Sequence, residues 1–394
     1  MIAIREANTN TNTIRDTHVA FVGKYVKETI DYYTALYTLL PTIVDQDVDD
    51  KTVIAAVEKI NTCYRHYKKL LKAVLVPAVE IENKTDIPKL SLSANYLPEA
   101  LKFKAVQDAL KLLAKEYRRI LAIDFTRHQQ VRIRLYKLWQ FLLSPIDFLI
   151  PLIFDYEKWF LGLPPAPVSP WGPYQLSMAL DLKCCPYCNR QYTFSLVDDG
   201  GKKKGRPELD HFLPKATNRL LALSFYNLIP SCQGCNGSSL KGGNPTSYLT
   251  HLSPYDTNPK SGLMRFSYIP KTYKAAVGQS QELEIEAKYV GDPTDTILKT
   301  KVEGNMNLFG INEIYKNHTD IVQEIVRKRS MSSDRYIEIL QNTFSRFNLS
   351  TNDAYRLAFG NYYREKDFHR RPLAKLTKDI AIELTTLPDP PTKT

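Results

Sequence analysis

The sequence predicts an α+β protein that is mainly helical, with a compact, cysteine-rich middle between two helical regions. Apolar residues recur at helical spacing through the first part of the chain and again near its end, which indicates amphipathic helices there. Between them lie short runs of alternating apolar and polar residues, glycine-rich loops and paired cysteines, a pattern typical of small strands and turns. At 394 residues the chain exceeds the size of most single cores, so we expect units at 1–163, 164–303 and 304–394.

The first unit carries four stretches of helical periodicity. In the earliest of them, Val22, Val26 and Ile30 fall on one helical face. The four stretches cover residues 18–40, 53–75, 98–121 and 129–143. Prolines are then so dense over residues 162–173 that neither a helix nor a central strand can pass through the segment. This segment therefore predicts the first boundary between units.

Strands are predicted for the second unit and helices for the third. Two alternating runs, residues 264–269 and 282–289, predict a pair of strands. Helical periodicity returns after Gly304, which predicts a C-terminal helical region. The last residues, 387–394, carry too little apolar surface to offset the entropy of ordering them, so we expect them to be loose.

Hydropathy argues against export and against a membrane span. The N-terminal residues lack the apolar core and the small-residue cleavage site of a secretory signal. The most apolar stretch, residues 138–154, is too short to cross a bilayer and is interrupted by Pro145 and Pro151. We expect this stretch to be buried core and the protein to be cytoplasmic, without membrane contact.

The charge balance favours a polyanionic partner. Fifty-three Lys and Arg residues against 42 Asp and Glu residues give a net charge of +11. Cations that neutralise phosphates release condensed counterions, which makes binding of a basic protein to nucleic acid favourable. Nucleic acid, with DNA favoured over RNA, is therefore the first partner to expect.

Cysteine spacing predicts a closed metal site. Five of the six cysteines lie between Cys184 and Cys235, and such pairing in a cytoplasmic chain favours metal ligation over disulfides. A gap of two residues lets both sulfurs of a pair reach one tetrahedral ion, and four thiolates leave no open position, so the metal is expected to be structural zinc. The predicted ligands are Cys185, Cys188, Cys232 and Cys235. Cys184 is interpreted as a bystander, and Cys63 as a packed thiol.

Polar residues between and after the cysteine pairs resemble those of a known nuclease family. The string ELDHFLPKA contains Asp210 and His211, Asn227 opens NLIPSCQGCN, and Asn236 follows the last cysteine, with Lys241 five residues on. This order, over residues 185–241, resembles the zinc-containing branch of the HNH, or ββα-metal, endonucleases. The resemblance implies a ββα-metal core with the four-cysteine zinc at its base, and hydrolysis of phosphodiester bonds.

The resemblance also implies a role for each residue of the motif. His211 matches the general base that deprotonates the attacking water, and Asn227 matches the residue that orients the histidine loop. Asp210 and Asn236 match the two protein ligands of a catalytic divalent ion. Many relatives have histidine where Asn236 stands; because an amide oxygen is a hard ligand, Mg²⁺ or Mn²⁺ is the expected ion.

Basic residues around the motif are candidates for contacts with phosphates. They are Lys202, Lys203, Lys204, Arg206, Lys215, Arg219 and Lys241. A lysine run such as 202–204 is more often a solvated loop than a specific contact. His251 and Asp256 lie beyond the motif, where family members often have a further polar residue that faces the scissile phosphate.

A narrower resemblance concerns the biological setting. The strings CPYCNRQY, LDHFLPK and NLIPSCQGCN resemble the nuclease component of Septu-type antiphage systems, including those attached to retrons. That resemblance implies a nuclease effector that works beside an ABC-class ATPase. Two alternatives stay open: a noncatalytic zinc module that binds nucleic acid, and a homing or mobile-element HNH endonuclease with the same core.

Overall fold

A computed structural model describes residues 2–44, 100–161, 171–256, 261–330, 336–343 and 349–384. Over these residues the chain is mainly helical with small antiparallel sheets, which agrees with the predicted α+β class. Several predictions fall outside the described residues: the helix over 53–75, Cys63, nearly all of the proline-rich segment, and the loose tail. Among the described helices, none combines the length and the apolarity that crossing a bilayer requires.

The described part of the N-terminal region is helical, as predicted. Its helices are α1 (Ile4–Ala7), α2 (Thr11–Val44), α3 (Ala100–Leu121), α4 (Gln129–Leu142) and α5 (Ile150–Ile153), followed by a π-helical turn at Glu157–Leu161. The periodic residues Val22, Val26 and Ile30 of α2 are fully buried, because α2 packs lengthwise against α3. One expectation needs correction: Phe141, within the stretch predicted to be buried, is 75% exposed on α4.

The described residues in the middle of the chain form three antiparallel pairs of strands. After α6 (Pro173–Leu180) come β1 (Leu196–Val197) with β2 (Lys203–Gly205), β3 (Glu208–His211) with β4 (Leu228–Ser231), and β5 (Met264–Pro270) with β6 (Leu283–Tyr289). The predicted pair of strands over 264–289 is confirmed. A short helix, α7 (Gln233–Asn236), directly follows β4. The order β3, β4, α7 therefore brings two strands and one helix together around the motif residues.

The C-terminal region is helical, as predicted. Helix α8 (Tyr273–Ala276) lies between β5 and β6, and helix α9 (Thr296–Leu308) follows β6. The remaining helices are α10 (Ile311–Tyr315), α11 (Thr319–Ser330), α12 (Tyr336–Thr343), α13 (Thr351–Phe359) and α14 (Ala374–Glu383). The start of α9 is capped by Asp295, whose side chain accepts the Leu298 N–H at 2.9 Å, which satisfies a donor that the helix itself leaves free.

A large apolar core contains residues from all three predicted units. One cluster of buried side chains extends from Ile4 in α1 to Ala381 in α14. Residues of both helical regions also contact the turn at the first cysteine pair: the Ile2 N–H donates to the Pro186 carbonyl at 2.8 Å, and the Asn189 side chain donates to the Phe368 carbonyl at 2.8 Å. The boundaries at 163 and 303 stay a prediction, but the site between them is packed against both helical regions.

Candidate active site

Four cysteine sulfurs gather at one buried point. Their Sγ atoms all lie within 4.8 Å of one another, and those of Cys188 and Cys232 are 3.9 Å apart. Tetrahedral zinc with bonds of about 2.3 Å separates its sulfur ligands by about 3.8 Å, so the cluster fits a zinc ion. The cluster consists of Cys185, Cys188, Cys232 and Cys235. These are the predicted ligands, and with four sulfurs the position offers a closed, structural site.

Local backbone geometry explains why each cysteine pair converges. The first pair encloses a tight turn, in which the Asn189 N–H donates to the Cys185 carbonyl at 2.8 Å and Asn189 takes a left-handed conformation (φ 49°). The second pair opens α7, where Cys232 is the N-cap and its Sγ accepts the Cys235 N–H at 3.4 Å. The neighbouring Cys184 lies in a separate apolar cluster with Ile2, Phe368 and Ala374. Its interpretation as a bystander agrees with this position.

Asp210 is buried at the end of β3 with both carboxylate oxygens engaged. The Tyr187 hydroxyl donates to Oδ2 at 2.5 Å, and the Lys241 ammonium donates to Oδ1 at 2.6 Å. Burial raises the pKa of Asp210, while the charge of Lys241 opposes that shift. Because Tyr187 lies between two zinc-site cysteines in the sequence, it connects the cluster directly to this carboxylate.

His211 is held as a neutral imidazole. Its Nε2 lies 2.9 Å from the Ala222 carbonyl oxygen, which can only accept, so Nε2 carries the proton and Nδ1 keeps a free lone pair. Burial lowers the pKa of His211 to about 4. The ring of Tyr156, from the N-terminal region, meets the imidazole edge-on at 4.6 Å between centroids. A neutral ring with one fixed N–H is the form that a general base requires.

Asn227 fastens the loop that follows His211. Its Oδ1 accepts the Leu213 N–H at 2.7 Å, and its Nδ2 donates to the carbonyls of Leu213 at 3.0 Å and Leu221 at 3.1 Å. The side chain is buried, so these bonds form where water does not compete. They are the contacts that a loop-orienting residue needs.

Asn236 faces the same side of β3 as Asp210. Alternate residues of a strand share a face, which places Glu208 and Asp210 together, and the Asn236 Nδ2 donates to Glu208 Oε2 at 2.8 Å. Glu208 and Tyr187 were not singled out from the sequence. The position of Glu208, two residues before Asp210 on a predicted strand, was the available signal for the first; no spacing rule indicated the second.

The oxygen donors of this group suit a hard divalent ion. Carboxylate and amide oxygens are preferred ligands of Mg²⁺ and Mn²⁺, and Asp210 and Asn236 offer one of each. Each carboxylate oxygen has a second lone pair, so the hydrogen bonds to Asp210 leave it able to ligate. The Lys241 ammonium, however, lies 2.6 Å from Oδ1 of Asp210.

The predicted basic contacts lie in different surroundings. The side chains of Lys202, Lys203 and Lys204 are exposed on the β1–β2 hairpin. Lys203 and Arg206 lie over the Tyr174 ring at 5.1 and 6.0 Å. Lys215 contacts Glu157 and lies 5.2 Å from the Tyr156 ring centroid, and Arg219 lines a cavity of about 260 Å³ beside α4.

Lys241 differs from the expectation of a surface contact. Only 1% of the residue is exposed, and its ammonium faces Asp210 and the His211 carbonyl oxygen, each at 2.6 Å. A buried carboxylate attracts a cation strongly because the surrounding dielectric is low. His251 is half-buried, and its Nδ1 lies 2.8 Å from the Thr250 hydroxyl. Neither residue presents a free charge to the surface.

Comparison with known proteins gives one partial similarity. The chain is 31% identical over 106 residues to Septu protein PtuB of Bacillus thuringiensis, a match that covers 26% of this chain and 37% of that protein. The match thus spans well under half the length of either protein. No family model matches the chain, and no solved structure matches it. The similarity supports a link to Septu-like proteins.

Proposed function

We propose that this chain is a metal-dependent endonuclease of the HNH type that hydrolyses phosphodiester bonds of nucleic acid, with DNA favoured. The observation that carries the proposal is the constellation on β3, β4 and α7: a neutral, oriented His211, a loop held by Asn227, and oxygen donors from Asp210 and Asn236. The zinc-site geometry and the similarity to Septu protein PtuB support it.

His211 is the proposed general base. With Nε2–H donated to Ala222, the lone pair of Nδ1 accepts a proton from the water that attacks phosphorus. The low pKa caused by burial keeps the ring unprotonated near neutral pH, and general bases of this kind contribute about 10²–10⁴-fold in rate. Asn227 holds the loop after His211, so the imidazole keeps one orientation.

Asp210 and Asn236 are the proposed holders of the divalent ion. When bound, a divalent ion stabilises the charge that develops on the leaving oxygen. Glu208 accepts a hydrogen bond from the Asn236 Nδ2, which turns the amide oxygen of Asn236 away from Glu208 and frees it as a ligand. The Tyr187 hydroxyl donates a hydrogen bond to Oδ2 of the Asp210 carboxylate. Both supporting side chains therefore orient a proposed ligand without replacing it.

The setting of the nuclease is proposed from the resemblance and the partial similarity. We place the chain as the nuclease effector of a bacterial antiphage defence system, beside a partner of the ABC ATPase class. The positive charge of the chain and the exposed lysines at 202–204 supply attraction to the phosphate backbone.

One observation favours a second candidate, a noncatalytic zinc module that binds nucleic acid. Asp210 is 3% exposed and already has a hydroxyl and an ammonium as partners, as a purely structural carboxylate would. In that case the chain binds nucleic acid through its zinc site and its positive charge but does not cleave it.

Cleavage assays separate the two candidates. Zinc-loaded protein is incubated with plasmid DNA and with tRNA in EDTA, Mg²⁺ or Mn²⁺. We expect cleavage with Mg²⁺ or Mn²⁺ and a loss of cleavage rate of at least about 100-fold in His211→Ala, whereas His128→Ala, at an exposed histidine outside the site, should cleave as wild type does. Wild-type protein that binds nucleic acid but cuts neither substrate in any ion would establish the noncatalytic module instead.

A further inference from the structure

Lys241 occupies an unusual place for a lysine near a proposed divalent-ion site. Its side chain and that of Asp210 are 2% and 3% exposed, and the ammonium lies 2.6 Å from Asp210 Oδ1. The backbone of Lys241 is tied to the zinc site, because its N–H donates to the Cys235 carbonyl at 3.2 Å. The lysine therefore reaches Asp210 from the second cysteine pair.

We propose that Lys241 is a built-in counter-ion of Asp210 that a divalent ion must displace, so that Lys241 sets the metal affinity of the site. This inference rests on the proposed function, because it takes Asp210 as an ion ligand. An ammonium and a dication cannot share one carboxylate oxygen at full strength, since their mutual repulsion is large in a low-dielectric interior. Metal binding and the Lys241–Asp210 contact thus compete.

The surroundings allow the exchange without disturbing the carboxylate. Tyr187 bonds to Oδ2 only, so Asp210 keeps its orientation when the cation on Oδ1 changes. The lysine side chain has four rotatable methylenes and can withdraw while its backbone bond to Cys235 persists. Its second acceptor, the His211 carbonyl, is neutral and holds it less strongly than the carboxylate does.

A second buried lysine–aspartate pair provides a structural comparison for Lys241 and Asp210. Lys375 and Asp379 of α14 are 4% and 8% exposed, with Nζ and Oδ2 2.8 Å apart. Asp379 also accepts the Phe266 N–H at 2.9 Å, so this pair joins α14 to β5. Its burial and distance are similar to those of the Lys241 pair. The Lys375 backbone N–H donates to Asn189 Oδ1 at 3.0 Å, but a side-chain substitution keeps that bond and leaves Asp210 and Asn236 untouched, which makes the pair a matched control.

Manganese binding tests the proposal. Isothermal titration of zinc-loaded protein with Mn²⁺ is compared for wild type, Lys241→Met, Lys241→Gln and Lys375→Met. We expect both Lys241 variants to bind Mn²⁺ about tenfold more tightly than wild type, and Lys375→Met to bind it as wild type does. Lys241→Gln keeps a donor toward Asp210 and the His211 carbonyl, which protects the fold if the methionine variant is unstable.

Thermal unfolding gives a second readout that does not depend on cleavage. Without Mn²⁺, Lys241→Met and Lys375→Met should both unfold at lower temperature than wild type, because each leaves a buried carboxylate without its cation. Saturating Mn²⁺ should restore the melting temperature of Lys241→Met alone. The double variant Asp210→Asn/Lys241→Met should lose both the tighter binding and the rescue.

The outcomes distinguish failure of this inference from failure of the proposed function. If wild type cleaves in a His211-dependent way while neither Lys241 variant binds Mn²⁺ more tightly, the counter-ion role is wrong and the nuclease stands. If Mn²⁺ binding in every variant is independent of Asp210, the ion site itself is misassigned and both proposals fall.

Discussion

The four-cysteine cluster and the Asp210–His211 group share the β3–β4–α7 unit but are assembled in opposite ways. The cluster uses four identical donors in two short turns, and each pair converges through local backbone geometry. The Asp210–His211 group draws its partners from distant parts of the chain: Tyr156 from the N-terminal region, Tyr187 from the first cysteine pair and Lys241 from beyond the second. Local spacing thus builds the first centre, and tertiary packing builds the second.

Because of this difference, we expect the cluster to determine the stability of the fold and the Asp210–His211 group to determine its chemistry. A closed four-thiolate site contributes folding free energy and leaves no position for a substrate. The polar group contributes little to folding, since burying Asp210 and His211 costs desolvation that their partners only offset. We therefore expect damage to the cluster mainly to reduce the stability of the fold, and damage to the Asp210–His211 group mainly to slow the proposed cleavage. Substitutions in each centre test this division.

The largest effect is expected at the cluster. Cys232→Ser removes one thiolate ligand while its hydroxyl can still cap α7, and it should lower zinc content and solubility together, with a stability loss of about 5 kcal/mol or more. Metal analysis and thermal unfolding measure the two quantities. Cys184→Ser, at a buried cysteine outside the cluster, should keep its zinc. A folded Cys232→Ser protein with a full complement of zinc would show that the clamp is misassigned.

An intermediate effect is expected at Asn227. Asn227→Ala removes the hydrogen bonds to the N–H and the carbonyl of Leu213 and one of the two bonds to the Leu221 carbonyl, which costs about 2–4 kcal/mol. A displaced histidine should slow cleavage about 100-fold. Denaturant unfolding and single-turnover cleavage measure these changes.

Asn305→Ala is the matched control for Asn227→Ala. Asn305 is also buried and bridges both the N–H and the carbonyl of Leu252, at 3.0 and 2.9 Å. Its loss should reduce stability similarly and leave the cleavage rate of the folded protein unchanged. Equal rate losses in the two variants would mean that Asn227 acts through stability alone.

The sequence predicted the features that local chemistry determines. Two-residue gaps fixed the cysteine ligands, alternation predicted β5 and β6, and the apolar period of α2 predicted which residues are buried. The same reasoning overestimated burial in residues 138–154, because α4 packs through Tyr136 and Trp139 while Phe141 faces outward. A composition window does not distinguish the two faces of one helix.

The surroundings of the candidate site were not predictable in the same way. Lys241 carries a charge in a glycine-rich loop, which in sequence indicates a solvated contact. Its burial depends on a carboxylate 31 positions away that lies at the end of another element. Tyr156, which contacts His211, lies 55 positions before it in the sequence. Such contacts depend on tertiary packing, which the periodicity and the spacing of residues do not predict.

The smallest effect is expected at the hydroxyl that joins the two centres. Tyr187→Phe keeps the ring stacked on Phe309 and removes only the bond to Asp210, so zinc content should stay full and stability should fall by about 1 kcal/mol. Cleavage should slow about tenfold, because a proposed ion ligand loses one of the two contacts that orient it. Metal analysis, unfolding and cleavage rate are measured on the same preparation.

Tyr315→Phe distinguishes orientation of Asp210 from general support of the cysteine turn. Tyr315 is equally buried, and its hydroxyl donates to the Cys188 carbonyl at 2.5 Å, so its removal loosens the same turn without touching Asp210. Stability should fall as in Tyr187→Phe, while the cleavage rate should hold. If both variants slow cleavage equally, the zinc cluster acts on the polar group through the turn as a whole, and the two centres are one unit in function as well as in sequence.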